Sequence, residues 1–330
     1  HRPYVDAITL ACPKCKGTME RVKEVVDVWF DSGAMPFASA HFPFEKNQKA
    51  KELVPADYIA EGLDQTRGWF YTLLAVSTML GYGVPYKNVV TNGLVLDKHG
   101  LKMSKSKGNT VDPAMIVSKY GADVLRWFFY TINDPGEPKQ FDEANLVKKS
   151  REFHALLYNS LVFLRTYRKP QGNDFNPAHA LNVLDRWMLS RLTQVGLTVG
   201  MSLDAYDFLG ATRALESLTG DLSRWYIRRC RTRFSEPKSE ADYESAYTTL
   251  HHVLFTMAKL IAPFNPFFAE GLFQELRDKG HVIGDKEESV HLQDWPEFSA
   301  RSVDGKLMEA MEEVRGLASV GLALRAEQGI

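Results

Sequence analysis

Residues 58–80 read YIAEGLDQTRGWFYTLLAVSTML, and this stretch decides the class of fold that the chain predicts. Its first five residues, 58–62, are typical of a short buried strand that ends in polar side chains. A helix is expected from Gln65 to Leu80, with Asp64 as its N-cap. Because open parallel sheets bind their ligands where strands end, the turn between the strand and the helix is a candidate ligand site.

The two parts of the 330-residue chain have different hydrophobic patterns. Residues 21–136 alternate β-branched runs, such as 25–29 and 89–90, with helical periodicity, which predicts an α/β domain. Beyond a boundary expected near residues 140–150, apolar stripes at helical spacing predict an all-α bundle. The residues of the three stripes are Leu184, Trp187, Met188, Leu192, Val195 and Val199; Leu215, Leu218, Leu222 and Trp225; and Leu250, Val253, Leu254, Met257, Leu260 and Ile261.

Composition limits the kinds of protein that the chain can be. A formal net charge of −1 excludes a globally basic nucleic-acid binder, so a local basic face would have to meet any phosphates. Three cysteines and the lack of a charged-then-apolar leader favour a cytoplasmic location. No apolar run reaches the roughly 20 residues that span a bilayer, so we expect no membrane partner.

Loops and a tail complete the predicted organisation. Residues 169–174 and 235–238 are expected to be loops because they are rich in Gly, Pro and polar residues. Past Gly280, residues 289–292 predict a short β-like piece, and a charged helix is expected from Gly305.

Residues 97–109, DKHGLKMSKSKGN, place four lysines in a segment with two glycines. Such a segment is most often a solvated surface turn. Mobile ammonium groups could also stabilise the negative charge that develops on pyrophosphate when a nucleotide's α-phosphate is transferred. Lys102 and Lys105 are three residues apart, so one short turn could present both charges.

Two segments of the first half could line a ligand. In residues 61–69, a carboxylate at a strand end precedes a glycine and a helix N-terminus, which suits a nucleotide but also an ordinary turn. Residues 27–33, DVWFDSG, follow a β-type run. Trp29 there either fills the core or forms the wall of a pocket.

Two further groups of residues suggest metal and RNA chemistry. Cys12 and Cys15 have the spacing of half a zinc site, although they could be two bystander thiols, and Cys230 is expected to be buried. Three arginines fall on one helical face, where they could contact phosphates, remain solvated, or pair with Glu216 and Asp221. These arginines are Arg224, Arg228 and Arg231.

Residues 102–106, KMSKS, resemble a signature of class I aminoacyl-tRNA synthetases letter for letter. The segments 61–69 and 27–33 resemble the isoleucine members of that class, and 225–229, WYIRR, together with 261–270 resembles their anticodon-binding domain. The resemblance runs from the first residues to about Pro296.

This resemblance implies part of a Rossmann-like class I catalytic core followed by an all-α, helical-bundle anticodon-binding domain. The implied domains are the end of a zinc-knuckle insertion, the C-terminal half of the catalytic domain, the anticodon-binding bundle and the start of a C-terminal subdomain: residues 1–22, 23–142, 143–280 and 281–330. The chain opens with His1 rather than a methionine and soon shows half of a metal knuckle, so we expect a cut inside a longer protein. Because the HIGH signature of the class does not occur in the sequence, we expect this chain to be inactive alone.

The resemblance also implies roles for individual residues. Lys102 and Lys105 would hold the triphosphate, with Lys105 in direct contact. Trp29 and Trp69 would be apolar walls around an isoleucine side chain. The residues implied to line the aminoacyl-adenylate are Glu61, Gly62, Asp64 and Gln65.

The implied activity is ATP-dependent activation of isoleucine and its transfer to tRNA(Ile) by a monomer. ATP and Mg²⁺ are the implied cofactors, and Zn²⁺ would need further ligands from upstream. Two other hypotheses stay open on the sequence: a tRNA-binding module without catalysis, and a nucleotide-binding regulator whose helices bind another protein.

Overall fold

The chain divides into two compact units, His1–Gly93 and Leu94–Ile330. Residues 25–26 of the predicted β-type run and the predicted loop at 169–174 lie outside the described residues. The computed structural model describes residues 2–23, 27–45, 48–168, 182–277 and 288–329.

The first unit contains, in chain order, β1 (Thr9–Ala11), β2 (Thr18–Glu20), α1 (Val28–Gly33), α2 (Met35–Ser39), α3 (Gln48–Leu53), β3 (Ile59–Gly62), α4 (Trp69–Met79) and β4 (Val89–Asn92). β1 and β2 form an antiparallel hairpin. β3 and β4 are parallel, with Ile59 opposite Val89 and Gly62 opposite Asn92. Since α4 lies between these strands in the chain, the predicted strand at 58–62 and the alternation of strand and helix are confirmed here.

Two local predictions in this unit are wrong. Val28 and Trp29 begin a helix rather than ending a strand, because the Asp27 side chain accepts the Trp29 N–H at 2.9 Å and caps α1. The helix expected from residue 65 is interrupted. Residues Leu63–Arg67 form a 3₁₀ turn instead. Gly68 has a non-helical backbone, with φ −142° and ψ −115°, and this residue separates the turn from α4.

α1 and α4 pack closely at a glycine. A Cβ on Gly33 would lie 2.7 Å from the backbone carbonyl of Thr72, so only glycine permits this approach. The other side of α4 is buried, with Phe70 and Leu73 packing against Ile59. α4 is therefore held between the strand β3 and the helix α1.

The second unit contains β5 (Val95–Leu96), α5 (Pro113–Tyr120), α6 (Ala122–Ile132), β6 (Lys139–Gln140), α7 (Glu143–Ser150), α8 (Leu156–Thr166), α9 (Val183–Asp204), α10 (Phe208–Gly220), α11 (Arg228–Ser235), α12 (Glu240–Ile261), α13 (Pro266–Arg277) and α14 (Gly305–Glu327). β5 and β6 form a parallel pair. π-helical turns join α7 to α8 and α10 to α11. Among the described residues, no strand follows Gln140.

The three predicted apolar stripes form the core of the second unit. Nearly all of their residues are buried in one cluster, while Leu184 and Trp225 are partly buried against it. The predicted loop at 235–238 and the helix from Gly305 are confirmed, since α11 ends at Ser235 and α14 begins at Gly305. Helical periodicity alone therefore identified this core.

The β-like piece predicted at 289–292 is a 3₁₀ turn, Val290–Leu292. Two side chains satisfy its backbone amides, which therefore need no partner strand. The Ser289 hydroxyl accepts the His291 N–H, and Glu270 accepts the Val290 N–H at 3.0 Å. In the described ranges, no helix is long and apolar enough to cross a membrane.

Candidate functional site

The lysine-rich segment, residues 97–109, folds into an ordered loop at the start of the second unit. We call it the lysine loop. A bridge pairs Leu96 with Lys102, and a 3₁₀ turn, Lys105–Lys107, follows. Met103 points into the apolar cluster around Phe128. The loop therefore has one buried apolar contact, while its lysines are exposed to solvent.

Asp97 and Asn109 hold the two ends of this loop together. The Asp97 carboxylate accepts the N–H groups of His99 and Leu101 at 2.9 Å each, and also the Asn109 amide at 2.8 Å. Asn109 in turn accepts the Ser104 N–H at 2.9 Å. Hydrogen bonds from Asn109 and from the Leu101 amide hold the pKa of the Asp97 carboxyl below its usual value, so this acceptor is charged at neutral pH.

Sequence reasoning missed the role of Asp97 and Asn109. A signal existed, because Asp and Asn side chains commonly hydrogen-bond to nearby backbone in turns. That the two residues bond to each other across the loop depends on the folded backbone. The loop thus has a structured base, from which the ammonium groups extend.

Lys102 and Lys105 keep their charges available. Both side chains are exposed, and neither forms an ion pair in the described part of the chain. Two unpaired cations on one short loop can attract a polyphosphate, and a partner carboxylate would have weakened that attraction.

In the first unit, the end of β3 and the following turn bring several predicted residues together. Glu61 is exposed at the strand end, and Gly62 lies so close to Asp64 that a Cβ would sit 2.5 Å from its Oδ1. The Gln65 amide donates to Asp64 at 2.9 Å. These four side chains and backbone groups form a polar edge next to the N-terminus of α4.

The prediction that Asp64 caps the helix is wrong. Gln65 takes that role, since its Oε1 accepts the Trp69 N–H at 3.0 Å. The 3₁₀ turn explains the change, because it moves the start of α4 to residue 69 and places Gln65 four residues before the unpaired amide. Asp64 is therefore exposed and available to a ligand.

Trp29 and Trp69 both lie where α1 packs on the start of α4, and Trp69 also packs against the cluster of Ile59, Phe70 and Leu73. The Trp69 indole N–H donates to the Ser32 carbonyl at 3.1 Å, which ties α4 to α1. The Trp29 ring lies 2.9 Å from where a Cβ of Gly68 would be, so a larger residue at 68 would displace it. Trp29 is 45% exposed, which fits a wall of a site better than a core residue.

Cys12 and Cys15 lie in the turn of the β1–β2 hairpin. The turn closes through the Cys12 N–H, which donates to Gly17 O at 2.8 Å, and the Lys16 N–H, which donates to Cys12 O at 2.9 Å. Backbone hydrogen bonds from Cys15 and Lys14 lower the pKa of the Cys12 thiol. Among the described residues, no group of three or more His, Cys, Asp or Glu side chains could hold a metal ion.

The three predicted arginines are exposed on the helix that runs from the π-turn into α11. The predicted alternative partners bind other cations: Glu216 pairs with Lys149 at 2.9 Å, and Asp221 with both Arg191 and Arg315. Within the described ranges, none of the three predicted arginines forms an ion pair. Next to them, Arg229 lies over the Trp225 ring at 4.7 Å.

Arg233, two residues after Arg231 in the sequence, is buried. It donates to both oxygens of Asp185 at 2.7 and 2.8 Å. Arg233 is therefore a structural residue of the core, and the exposed arginines are those available to a partner.

Two protein-family descriptions match parts of this chain. The family of class I tRNA synthetases (I, L, M and V) matches residues 3–141, and the anticodon-binding domain of tRNA ligases matches residues 185–330. Isoleucine–tRNA ligase from Clostridium acetobutylicum is 42% identical over 328 residues, which are 98% of this chain and 32% of that protein. Its counterpart from Thermus thermophilus is 45% identical over 335 residues, covering 100% of this chain and 32% of the relative.

Solved structures have the same fold. LeuRS from Agrobacterium radiobacter K84, in a ternary complex with tRNA and LeuAMS, aligns with a TM-score of 0.65 and 23% identity over 90% of this chain and 36% of that one. Mycobacterium tuberculosis methionyl-tRNA synthetase with methionyl-adenylate aligns with a TM-score of 0.62 and 24% identity over 74% of this chain and 49% of that one. The chain spans about a third of the length of the curated relatives. It belongs to the class I tRNA synthetases by its matched domain and carries their anticodon-binding domain, and over its whole length it is similar to isoleucine–tRNA ligases.

Proposed function

We propose that this chain is part of an enzyme that activates isoleucine with ATP and transfers it to tRNA(Ile). The observation that carries the proposal is the lysine loop with its KMSKS sequence. Asp97 and Asn109 order the base of this loop. Lys102 and Lys105 are exposed and form no ion pair among the described residues. In the chemistry proposed, these two ammonium groups hold the triphosphate, and Lys105 makes the direct contact as pyrophosphate leaves.

The finer description of the fold belongs to the same proposal. Residues 23–142 would be the C-terminal half of a Rossmann-like catalytic domain, and 143–280 a helical-bundle anticodon-binding domain. Residues 1–22 would end a zinc-binding insertion, and 281–330 would begin a further subdomain. The parallel β3–β4 pair supports the α/β description of residues 23–142, and the absence of strands after Gln140 in the described ranges supports the boundary near 142. The two compact units divide earlier, between Gly93 and Leu94.

Two metal ions enter the proposal. Mg²⁺ would be bound to the phosphates of ATP, where it shields their charge. Cys12 and Cys15 would supply two of the four ligands of Zn²⁺. The lowered pKa of Cys12 fits this role, because a metal binds the thiolate.

The enzyme is proposed to act in the cytoplasm as a monomer, and its three free cysteines fit a reducing compartment.

The amino-acid site is proposed to lie between Trp29 and Trp69, with Glu61, Asp64 and Gln65 at its polar edge. An apolar pocket distinguishes isoleucine from valine by one methylene, worth about 1 to 3 kcal/mol, and the isoleucine–tRNA ligases are the standard illustration of this limit. Discrimination should therefore be measurable but incomplete.

Titration calorimetry with non-hydrolysable isoleucyl- and valyl-adenylate analogues tests this site. We expect the isoleucyl analogue to bind roughly 10- to 100-fold more tightly, and Trp29→Ala to remove most of that preference. Phe30→Ala is the matched control, since Phe30 is an exposed aromatic residue on the same helix. Equal binding of the two analogues, or no binding of either, would contradict the assignment of the pocket.

The exposed arginines are proposed to contact the phosphates of tRNA(Ile). Their lack of carboxylate partners in the described part of the chain supports this, as does the diversion of Glu216 and Asp221 to other cations. With a net charge of −1, RNA binding depends on such a local basic face.

Replacing Arg224, Arg228 and Arg231 together by alanine should lower the affinity for tRNA(Ile) by roughly tenfold or more and reduce its salt dependence. Each lost phosphate contact lowers the slope of log K against log salt by about 1. Filter binding over a range of salt concentrations measures both quantities. Arg301→Ala, at an exposed arginine in a 3₁₀ turn, is the control. If the control and the triple variant behave alike, this face does not bind RNA.

A further inference from the structure

Helix α6 belongs to two apolar cores of the second unit at once. Trp127 is fully buried in the large helical core, where it stacks on Phe153 at 3.8 Å. The next residue, Phe128, is buried in the smaller cluster against which Met103 of the lysine loop packs. Because neighbouring helical residues point about 100° apart, a rotation or shift of α6 must move both contacts together.

Two charged residues of α6 hold the turn between α12 and α13 from opposite ends. Arg126 donates to the carbonyls of Pro263 and Phe264, at 3.0 and 2.9 Å, just after α12 ends. Asp123 accepts the Phe268 N–H at 2.6 Å, in the first turn of α13. Each charge is opposite to the partial charge of the helix end that it meets, so the contact is matched in sign as well as in geometry.

The contact of α6 with the turn at 263–268, which we call the junction, contains buried polar atoms. Burying them costs free energy that purely apolar packing would not. His154 and Asn265 are bonded to each other at 3.2 Å, and burial raises the pKa of the Asp123 carboxyl even though the Phe268 amide bonds to it. Uncompensated burial of a polar group is unfavourable. Four buried atoms at the junction have no partner in the described part of the chain: Asp123 Oδ1, Trp127 Nε1, His154 Nδ1 and Asn265 Nδ2.

Directional bonds at this junction determine one register of α6 against the helical core, which apolar contacts alone would leave less defined. We propose that Asp123 and Arg126 are positioning residues for the lysine loop. They fix α6 on the turn at 263–268, and α6 then fixes the base of the loop through Phe128 and Met103. The inference rests on the proposed function for its purpose: tRNA held by the helical half would meet a loop of defined position.

Hydrogen-deuterium exchange of residues 97–110 tests the linkage without ATP, RNA or activity. In Asp123→Ala, the loop amides should exchange at least about fivefold faster than in the wild-type chain, because local opening of α6 releases them. Asp123→Asn should restore slow exchange, since its amide oxygen can still accept the Phe268 N–H. A residue that only contributes stability would not act selectively on a loop to which it makes no bond.

Asp304→Ala is the matched control. It removes another carboxylate that caps a helix of this unit, where Asp304 accepts the Leu307 N–H at 3.0 Å at the start of α14. Its loop exchange should equal that of the wild type. If Asp123→Ala does not fold, Arg126→Gln, which leaves no unpaired carboxylate, is expected to speed loop exchange in the same way.

Faster exchange confined to residues 263–270, with an unchanged loop, would overturn the proposal and reduce the contact to local capping. Equal acceleration in Asp304→Ala would also overturn it. Filter binding of tRNA(Ile) to the wild-type chain is measured separately. Failure of that binding would count against the proposed function, whereas the ligand-free exchange alone decides the linkage.

Discussion

Lys105→Ala is expected to lower kcat for isoleucine-dependent ATP–pyrophosphate exchange by about 100- to 1000-fold, the range for loss of one preorganised charge at a developing anion. Lys105 begins the 3₁₀ turn of the loop, and its ammonium group is exposed and unpaired in the described ranges. The KM for isoleucine should change little, because the proposed pocket for the side chain is built from other residues. The assay uses the natural full-length protein in which this sequence occurs.

Lys107→Ala is the matched control for this prediction. Lys107 lies in the same turn, is also exposed and carries the same charge. A change of less than about threefold is expected there, since bulk charge at an exposed site is screened by solvent and salt. Equal losses in the two variants would mean that only the total charge of the loop matters, and no loss in either would remove the loop from the chemistry.

Asp185→Ala is expected to lower the free energy of unfolding of the helical unit by about 3 to 5 kcal/mol, the cost of leaving a buried charge without its partner. Asp185 is completely buried and accepts four hydrogen bonds from three side chains. Two come from Arg233, one from the Tyr226 hydroxyl at 2.7 Å and one from the Ser245 hydroxyl at 2.6 Å. Burial, and then the charge of Asp185, raise the pKa of Tyr226, so its hydroxyl remains a donor.

Urea denaturation followed by helical circular dichroism measures this effect. Asp242→Ala is the control, because Asp242 also binds Arg233, at 2.7 Å, but lies at the edge of the network and is partly exposed. Its loss should cost roughly 1 kcal/mol, since Arg233 keeps both bonds to Asp185. Equal losses of the free energy of unfolding in the two variants would show that the buried carboxylate of Asp185 stabilises this core no more than the partly exposed one of Asp242.

The fold and the site were predictable to different extents. The apolar stripes of the second unit and the strand at 58–62 were predicted because hydrophobic periodicity reflects burial directly. The lysine loop was predicted from its motif, since five neighbouring residues carry the whole signal. Errors occurred at helix starts and in the tail, where the competing partners of single backbone amides decide the structure, as with Gln65 in place of Asp64.

The sequence by itself determined the apolar faces of the helices and the clustering of the lysines and arginines along the chain, because these depend on residues close together in the chain. Tertiary structure decided which charges are used internally. Arg233 and Asp185 are 48 residues apart, and Asp123 meets Phe268 across 145 residues. The sequence states which side chains are charged. The partner of each charged side chain and its exposure to solvent are decided only when distant helices pack against each other.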